Sequence, residues 1–380
     1  MNTSAPKITI PAFIASPLPF RLIKRSTNDN WNPDIDDINK FTYDYVRLHR
    51  VSGTIDIGLP KPYTMAVTFD GSFILPAIKK YSDITTAVDE FNNFFGSLLL
   101  GGVFTQAVDA TFLQRCFVHK NYYFETVHQP LNSFVELKNN FRHKHASVKD
   151  NIILMDCESI LLHDISIAYL AGRAILQKVT NLSPSFLIKG MSTYINNSFA
   201  ESLVNNWLSV EQILDNIWQK KVVQDQSPGT IKGRQDFLKD NRTWTTAAKT
   251  ELFFQKGLIN ERLYNQISKA RKARNNFVHT GTNPSKEEAE TAFSLLFFLL
   301  SLVVSDFKEQ NIFDKLLLKY KKIDPIKRNF YDKKPSSFKI EAVSYWLNAP
   351  IPPIPGSNNW DEQLYPYDIG FDFDNQGDTR

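Results

Sequence analysis

Between positions 269 and 274 the chain places Lys269, Arg271, Lys272 and Arg274, four cations in six residues, and His279 follows Arg274 by five. Arginine grips phosphate oxygens in fork geometry and stabilises charge that develops during a displacement, while histidine, titrating near neutral pH, moves protons. Such a set suits RNA cleavage. A ribose 2′-hydroxyl, deprotonated as it attacks the adjacent phosphorus, needs no metal when a cation and an acid/base are positioned, and leaves a 2′,3′-cyclic phosphate or 3′-phosphate and a 5′-hydroxyl. DNA lacks that nucleophile. Asn275 precedes His279 by four, so on a helix their side chains meet, and Tyr264 and Arg271 line the same neighbouring face.

These residues need a helix to hold them. Leu263, Ile267, Ala270, Arg274 and Phe277 fall at i, i+4, i+7, i+11 and i+14, so an arginine takes a position that the period assigns to the apolar stripe. Burying an unpaired guanidinium costs several kcal/mol, so Arg274 must meet a carboxylate, a phosphate or a solvated cleft. Glu211 stands beside the stripe of another helix, one residue from Val210 and four from Trp207. A structural Arg274–Glu211 ion pair is therefore the bland alternative to chemistry. His279 falls in the last turn, where exposed carbonyls favour its protonated form; a lone histidine there is usually a cap, but this one comes with an arginine, an asparagine and a basic patch.

Three further helices are predicted around this one, which spans 260–279 and is capped by Gly281. The first runs from 199 to about 221 with Leu203, Trp207, Val210, Leu214, Ile217 and Trp218 on one stripe, and the second covers 245–255. The fourth opens with Pro284 and the capping-box spacing Ser285 to Glu288 and continues through the Leu/Phe run to Val304. Short connections predict a bundle.

The 380 residues, at about 150 per domain, predict two or three units of an α+β chain, with hydrophobic residues at 42% and charged residues at 22% excluding a disordered or fibrous one. The expected organisation is a mixed, β-rich N-terminal region over 1–150, a connecting helix over 151–189, a helical domain over 190–310, and a basic segment and Pro-rich acidic tail over 311–380. In the first region, extended segments at 42–51, 53–58 and 63–69 are separated by turns such as Asp70-Gly71. From Asn151, apolar residues including Ile152, Ile153, Ile165 and Tyr169 recur at helical spacing, and strand signals largely stop. Residues 315–334 carry eight Lys/Arg against Asp324 and Asp332; six acids then oppose Arg380 between Asp361 and the end. A net charge of +4 is too small for a wholly basic surface, so any polyanion site is local. Cys116 and Cys157 have no zinc or disulfide-framework spacing, and four prolines between Pro6 and Pro19 stand where an export signal needs an apolar helix. A cytoplasmic protein without a membrane span is expected, the 295–304 run being too short for one.

Arg274-Asn275-Asn276-Phe277-Val278-His279 resembles the R-x4-H motif of HEPN ribonucleases, including a polar residue after the arginine. The stretch from Asn197-Ser198-Phe199 through Glu211 and Leu214 is similar to the first long helix of Apea-like HEPN domains, and Gly281 follows the histidine as it often does there. The resemblance covers about 190–310 of the chain. It implies that Arg274 and His279 are catalytic with Asn275 orienting His279 or the phosphate, that Glu211 supports them, and that the enzyme is a metal-independent endoribonuclease with no cofactor. It further implies RNA as substrate, a homodimer with a composite site, and a toxin or antiphage effector whose N-terminal region responds to a phage-derived trigger. The spacing agrees with a composite site: five residues of helix turn by about 500°, leaving Arg274 and His279 about 140° apart, so either the helix ends near His279 or a second subunit supplies the partner residue. Beside these roles, Lys269, Arg271 and Lys272 are the candidate substrate-binding cations and Tyr264 a supporting residue.

Two other readings compete. In the first, a non-catalytic module binds RNA or a nucleotide, or only dimerises, and the cations position phosphates without cutting them. The second is a metal-dependent phosphohydrolase of the HD type, drawn from His163-Asp164 and His143-x-His145. His163 follows Leu161-Leu162 in an apolar pattern, and 142–146 reads more simply as a solvated basic loop. No Walker, dinucleotide, zincin or nucleophile-elbow motif is present.

Overall fold

The computed structural model describes residues 9–33, 37, 40–120, 122–127, 130–146, 157–224, 231–304 and 312–323. Ile152, Ile153, the cations at 324–334 and the acidic tail lie outside the described residues. The chain is α+β, as its patterning predicts.

The N-terminal half contributes β1 (Thr9–Ala15), β2 (Arg21–Lys24), β3 (Val51–Ile55), β4 (Met65–Thr68), β5 (Phe73–Pro76), β6 (Leu113–His119) and β7 (Phe124–Thr126). Six of these form an antiparallel sheet in the order β3-β4-β5-β1-β6-β7. In the central strand, Ala12 opposes both Pro76 and Cys116. Its alternation divides two cores: Phe13 and Ala15 join the main one, Ala12 and Ile14 a smaller one with Val51, Ile74 and Phe124 on the other face. The strand β8 (Glu158–Leu161) pairs in parallel with β2, Arg21 opposite Glu158, so extended structure persists past 151.

The segment 42–51, expected to be extended, instead contains the short helix α1 (Tyr45–Leu48), because the Asp44 carboxylate accepts the Arg47 N–H and caps it. Two longer helices also interrupt the β-rich region: α2 (Ile84–Leu100), capped by Asp83, and α3 (Ser133–Arg142), capped by Asn132. Beyond β8 come α4 (Leu162–Lys178), α5 (Pro184–Ile195), α6 (Phe199–Trp218), α7 (Arg234–Lys239), α8 (Thr246–Gln255), α9 (Glu261–Thr280), α10 (Lys286–Val303) and α11 (Ile312–Lys321). The expected helices at 199–221, 245–255, 260–279 and 284–304 are therefore present, and Ser285 and Glu288 close a capping box at α10. No helix among the described residues is long and apolar enough to cross a membrane.

One hydrophobic core runs from Phe13 in β1 through Phe95 in α2, Trp207 in α6 and Phe297 in α10 to Tyr320 in α11. The mixed and helical halves thus share an interior, and position 190 falls inside α5. The contact between them is backbone on backbone. A Cβ on Gly172 of α4 would lie 1.8 Å from the Ser97 carbonyl oxygen of α2, and one on Gly96 would lie 2.1 Å from that of Pro184. Gly172→Ala is expected to destabilise the fold by about 1–3 kcal/mol, although alanine is the better helix former by about 1 kcal/mol, because the helices must move apart. A rise in the urea midpoint would refute the close approach. Residues 312–321, expected to belong to a tail, pack as α11: Tyr320 donates to the Leu99 carbonyl, Lys319 Nζ to that of Gly102 at 2.7 Å, and Lys321 pairs with Glu290 at 2.6 Å. Two cations of the basic run are thereby engaged within the fold.

Arg142 is not in a solvated loop. It ends α3 at 1% exposure and faces Asp70, also at 1%, while Lys138 one turn earlier is fully buried. The Asp70 Oδ2 accepts from Arg142 Nε at 2.8 Å and lies 2.7 Å from Nη2 in an ion pair. Arg142 Nη2 also donates to Ser72 Oγ at 2.9 Å, Lys138 Nζ donates to the same oxygen at 3.2 Å, and Thr68 Oγ1 donates to Asp70 Oδ1. The β4–β5 turn is thereby tied to α3. Only His143 and His145 of the expected loop are exposed imidazoles; Ala146 is buried.

Candidate active site

The helix α9 carries the R-x4-H residues, and local chemistry fixes both its ends. At the N-terminus the Asn260 Oδ1 accepts the Leu263 N–H at 2.9 Å, and at the C-terminus Gly281 takes φ 72° while its N–H bonds the Phe277 carbonyl at 3.0 Å. A left-handed residue is easy for glycine and stops the helix at Thr280. The helix buries Ile267, Ala270 and Ala273. Near its C-terminal end the buried line advances by threes, so Ala273 rather than Arg274 turns inward and Arg274 sits half-buried at the edge of the stripe.

The guanidinium is directed by a local bond, with Arg274 Nη1 donating to Asn275 Oδ1 at 3.1 Å. Asn275 lies about 100° round the helix from Arg274, on the side of Arg271 and His279, so this bond draws the cation from the apolar stripe towards the polar face. His279 is exposed in the last turn, and no described residue hydrogen-bonds its ring. Lys269 and Lys272 are exposed and Arg271 half-exposed. The helix continues unbroken through Thr280, and Arg274 and His279 keep the angular separation that their spacing dictates.

The Arg274–Glu211 ion pair, the bland alternative to chemistry, does not form. Glu211 Oε1 accepts from Thr246 Oγ1 at 3.1 Å, and one turn on, Asp215 pairs with Lys249 at 2.7 Å. These two carboxylates of α6 fasten α8, and Arg274 makes no ion pair among the described residues. The supporting role expected of Glu211 is thus spent on scaffold contacts, since its turn of α6 faces α8. Tyr264 likewise turns to α8: its ring lies 5.3 Å from that of Phe254, and Glu251 beside its hydroxyl raises its pKa. The structure brings together Arg274 and Asn275, sets His279 one turn beyond Asn275, and keeps Tyr264 and Glu211 apart from them.

His163 and Asp164 are exposed at the start of α4, and among the described residues no group of three or more His, Cys, Asp or Glu is arranged to hold a metal ion. Sequence reasoning missed a second cationic cluster, formed by Arg25, Arg47 and Arg50 in the N-terminal half. Arg47 and Arg50 stand three residues apart on one segment and Arg25 follows β2, more than twenty residues earlier, so no local signal marks the cluster. No family model, curated protein or solved structure matches the chain.

Proposed function

We propose that the chain is a metal-independent endoribonuclease of HEPN type, cutting RNA by attack of a ribose 2′-hydroxyl on the neighbouring phosphorus. The observation that carries this is the half-buried Arg274 guanidinium, unpaired by any described carboxylate and drawn by Asn275 from the apolar stripe towards the polar face of α9, on which His279 is exposed. A cation held in this way is free to meet a phosphate, and the imidazole one turn further along is free to accept or deliver a proton. Lys269, Arg271 and Lys272 supply attraction to the RNA backbone that weakens as salt rises. Because α9 stays helical past His279, the two motif residues of one chain diverge, which favours a homodimer in which each protomer completes the other's site. The N-terminal sheet region then serves as the part that restrains or releases cleavage, in a cytoplasmic toxin or antiphage effector answering to a phage-derived trigger.

Purified protein incubated with total cellular RNA in excess chelator should yield fragments with 5′-hydroxyl ends and 2′,3′-cyclic or 3′-phosphate partners. Fragments with 5′-phosphates, or cleavage that disappears with the divalent metal, would reject the mechanism in favour of a metal-dependent one.

A further inference from the structure

A cavity of about 390 Å³ opens in the N-terminal half, remote in sequence from α9, and is lined by Arg25, Asp44, Val46, Arg47, Arg50 and Phe69. Three guanidiniums around one cavity repel one another unless something anionic lies between them. Asp29 compensates one, through an ion pair with Arg47, and the Asp44 carboxylate lines the same cavity, so three guanidiniums face two carboxylates and the site keeps an excess of positive charge. The Arg47 guanidinium is further held with its carbon 4.6 Å from the Trp31 ring centroid and 4.3 Å from that of Phe69. Arg25 is fixed differently: Nε donates to the Ser52 carbonyl at 2.7 Å and Nη2 to that of Val51 at 3.1 Å, with the guanidinium carbon 5.0 Å from the Phe69 ring centroid. Its Nη1 hydrogens remain for a ligand. Arg50 is exposed, and among the described residues its side chain makes no hydrogen bond or ion pair.

Two arginines are thus oriented in advance, and a third stands free at the rim. Fixing a guanidinium before binding lowers the ordering cost that the ligand must offset, which is how phosphate-recognising arginines act. The volume falls within the range of small-molecule pockets, roughly 300–1,000 Å³, and exceeds what a bare phosphate fills. Asp44 adds a further requirement. Its Oδ1 is engaged by the Arg47 N–H at 3.0 Å, leaving the other carboxylate oxygen at the cavity to accept a hydroxyl or amine hydrogen. We infer that this cavity binds a small phosphorylated ligand, a nucleotide or sugar phosphate, with its phosphate among Arg25, Arg47 and Arg50 and a hydroxyl or amine on Asp44.

Calorimetric titration of the full chain with ADP, glucose 6-phosphate and pyrophosphate, and with adenosine and glucose as phosphate-free controls, tests the inference. At least one phosphorylated probe should bind, and which one does separates a nucleotide from a sugar phosphate. Arg50→Glu and the milder Arg50→Gln should weaken that binding by at least about tenfold, the scale of one lost charge-assisted contact, with unchanged melting temperatures because the side chain is exposed. Arg274→Ala should leave it unaltered, so the outcome is independent of RNA cleavage. Absence of binding by every phosphorylated probe at millimolar concentration, equal binding of the phosphate-free controls, or equal affinity in both Arg50 variants would overturn it.

Discussion

Arg274→Ala and His279→Ala are each expected to lower RNA cleavage by about 10²- to 10⁴-fold, the range for removing a positioned charge or an acid/base group. Neither should disturb folding. His279 is exposed, and Arg274, half-buried, is bonded only to the side chain of the next residue. Affinity for uncleavable RNA should survive His279→Ala nearly intact, because Lys269, Arg271 and Lys272 remain. A charge reversal at Lys272 should instead weaken binding and flatten its salt dependence. Mixing the two alanine variants distinguishes the arrangements. If each site draws its arginine from one protomer and its histidine from the other, half of the randomly exchanged dimers regain one good site of two, and activity returns to about a quarter of the unmodified protein's. If both residues act within one chain, every site in the mixture lacks one of them and nothing returns. Full cleavage by His279→Ala would move the chemistry away from this histidine, whereas no cleavage by the unmodified protein, with RNA binding lost on charge reversal at Lys272 and Arg274, would leave the non-catalytic module as the better account.

The second large effect concerns the buried charges of the N-terminal half. Asp70→Asn keeps the shape of the side chain but leaves the Arg142 guanidinium and the Lys138 ammonium buried without their carboxylate, and should destabilise the protein by about 3–5 kcal/mol. The pH dependence gives the loss a signature. Burial by itself would raise the Asp70 pKa, but Arg142 and Lys138 outweigh it and hold the carboxyl at about 2, below the 3.8 of the unfolded chain. A carboxylate depressed on folding stabilises above the unfolded value, and its contribution fades as pH falls from about 4 towards 2. That contribution is about 2 kcal/mol, so the gap between Asp70→Asn and the unmodified protein should narrow by this amount across the window in denaturant titrations. A gap independent of pH would mean that packing rather than charge accounts for the loss. Lys138 works in the opposite sense: burial lowers its pKa to about 8 against the pull of Asp70, so its charged form is tolerated and not favoured.

Much of the helical half was legible because its signals act within one or two turns. Asn260, Gly281 and the Ser285–Glu288 pair each satisfy backbone groups no more than four positions away, so the bounds of α9 and the start of α10 follow from neighbours in the sequence. The helix α2 was hidden for the converse reason. Its second half, Phe91 to Leu100, is buried nearly all round between the sheet and the helices α4 and α5, and a helix enclosed on every side has no polar face to give it a period.

The sequence by itself determined the four helices of the C-terminal half, the mixed character of the first, and the angular offset of Arg274 from His279, because each depends on backbone geometry and on residues a few positions apart. Only the tertiary structure decided which charges are paired. Arg142 finds Asp70 across 72 positions, Glu211 turns to Thr246 instead of Arg274, and Arg47 meets Asp29 and Trp31 on one distant segment and Phe69 on another. A charge in a sequence carries no record of distant partners, whereas its energy depends on the few ångströms between them and on the water excluded around both.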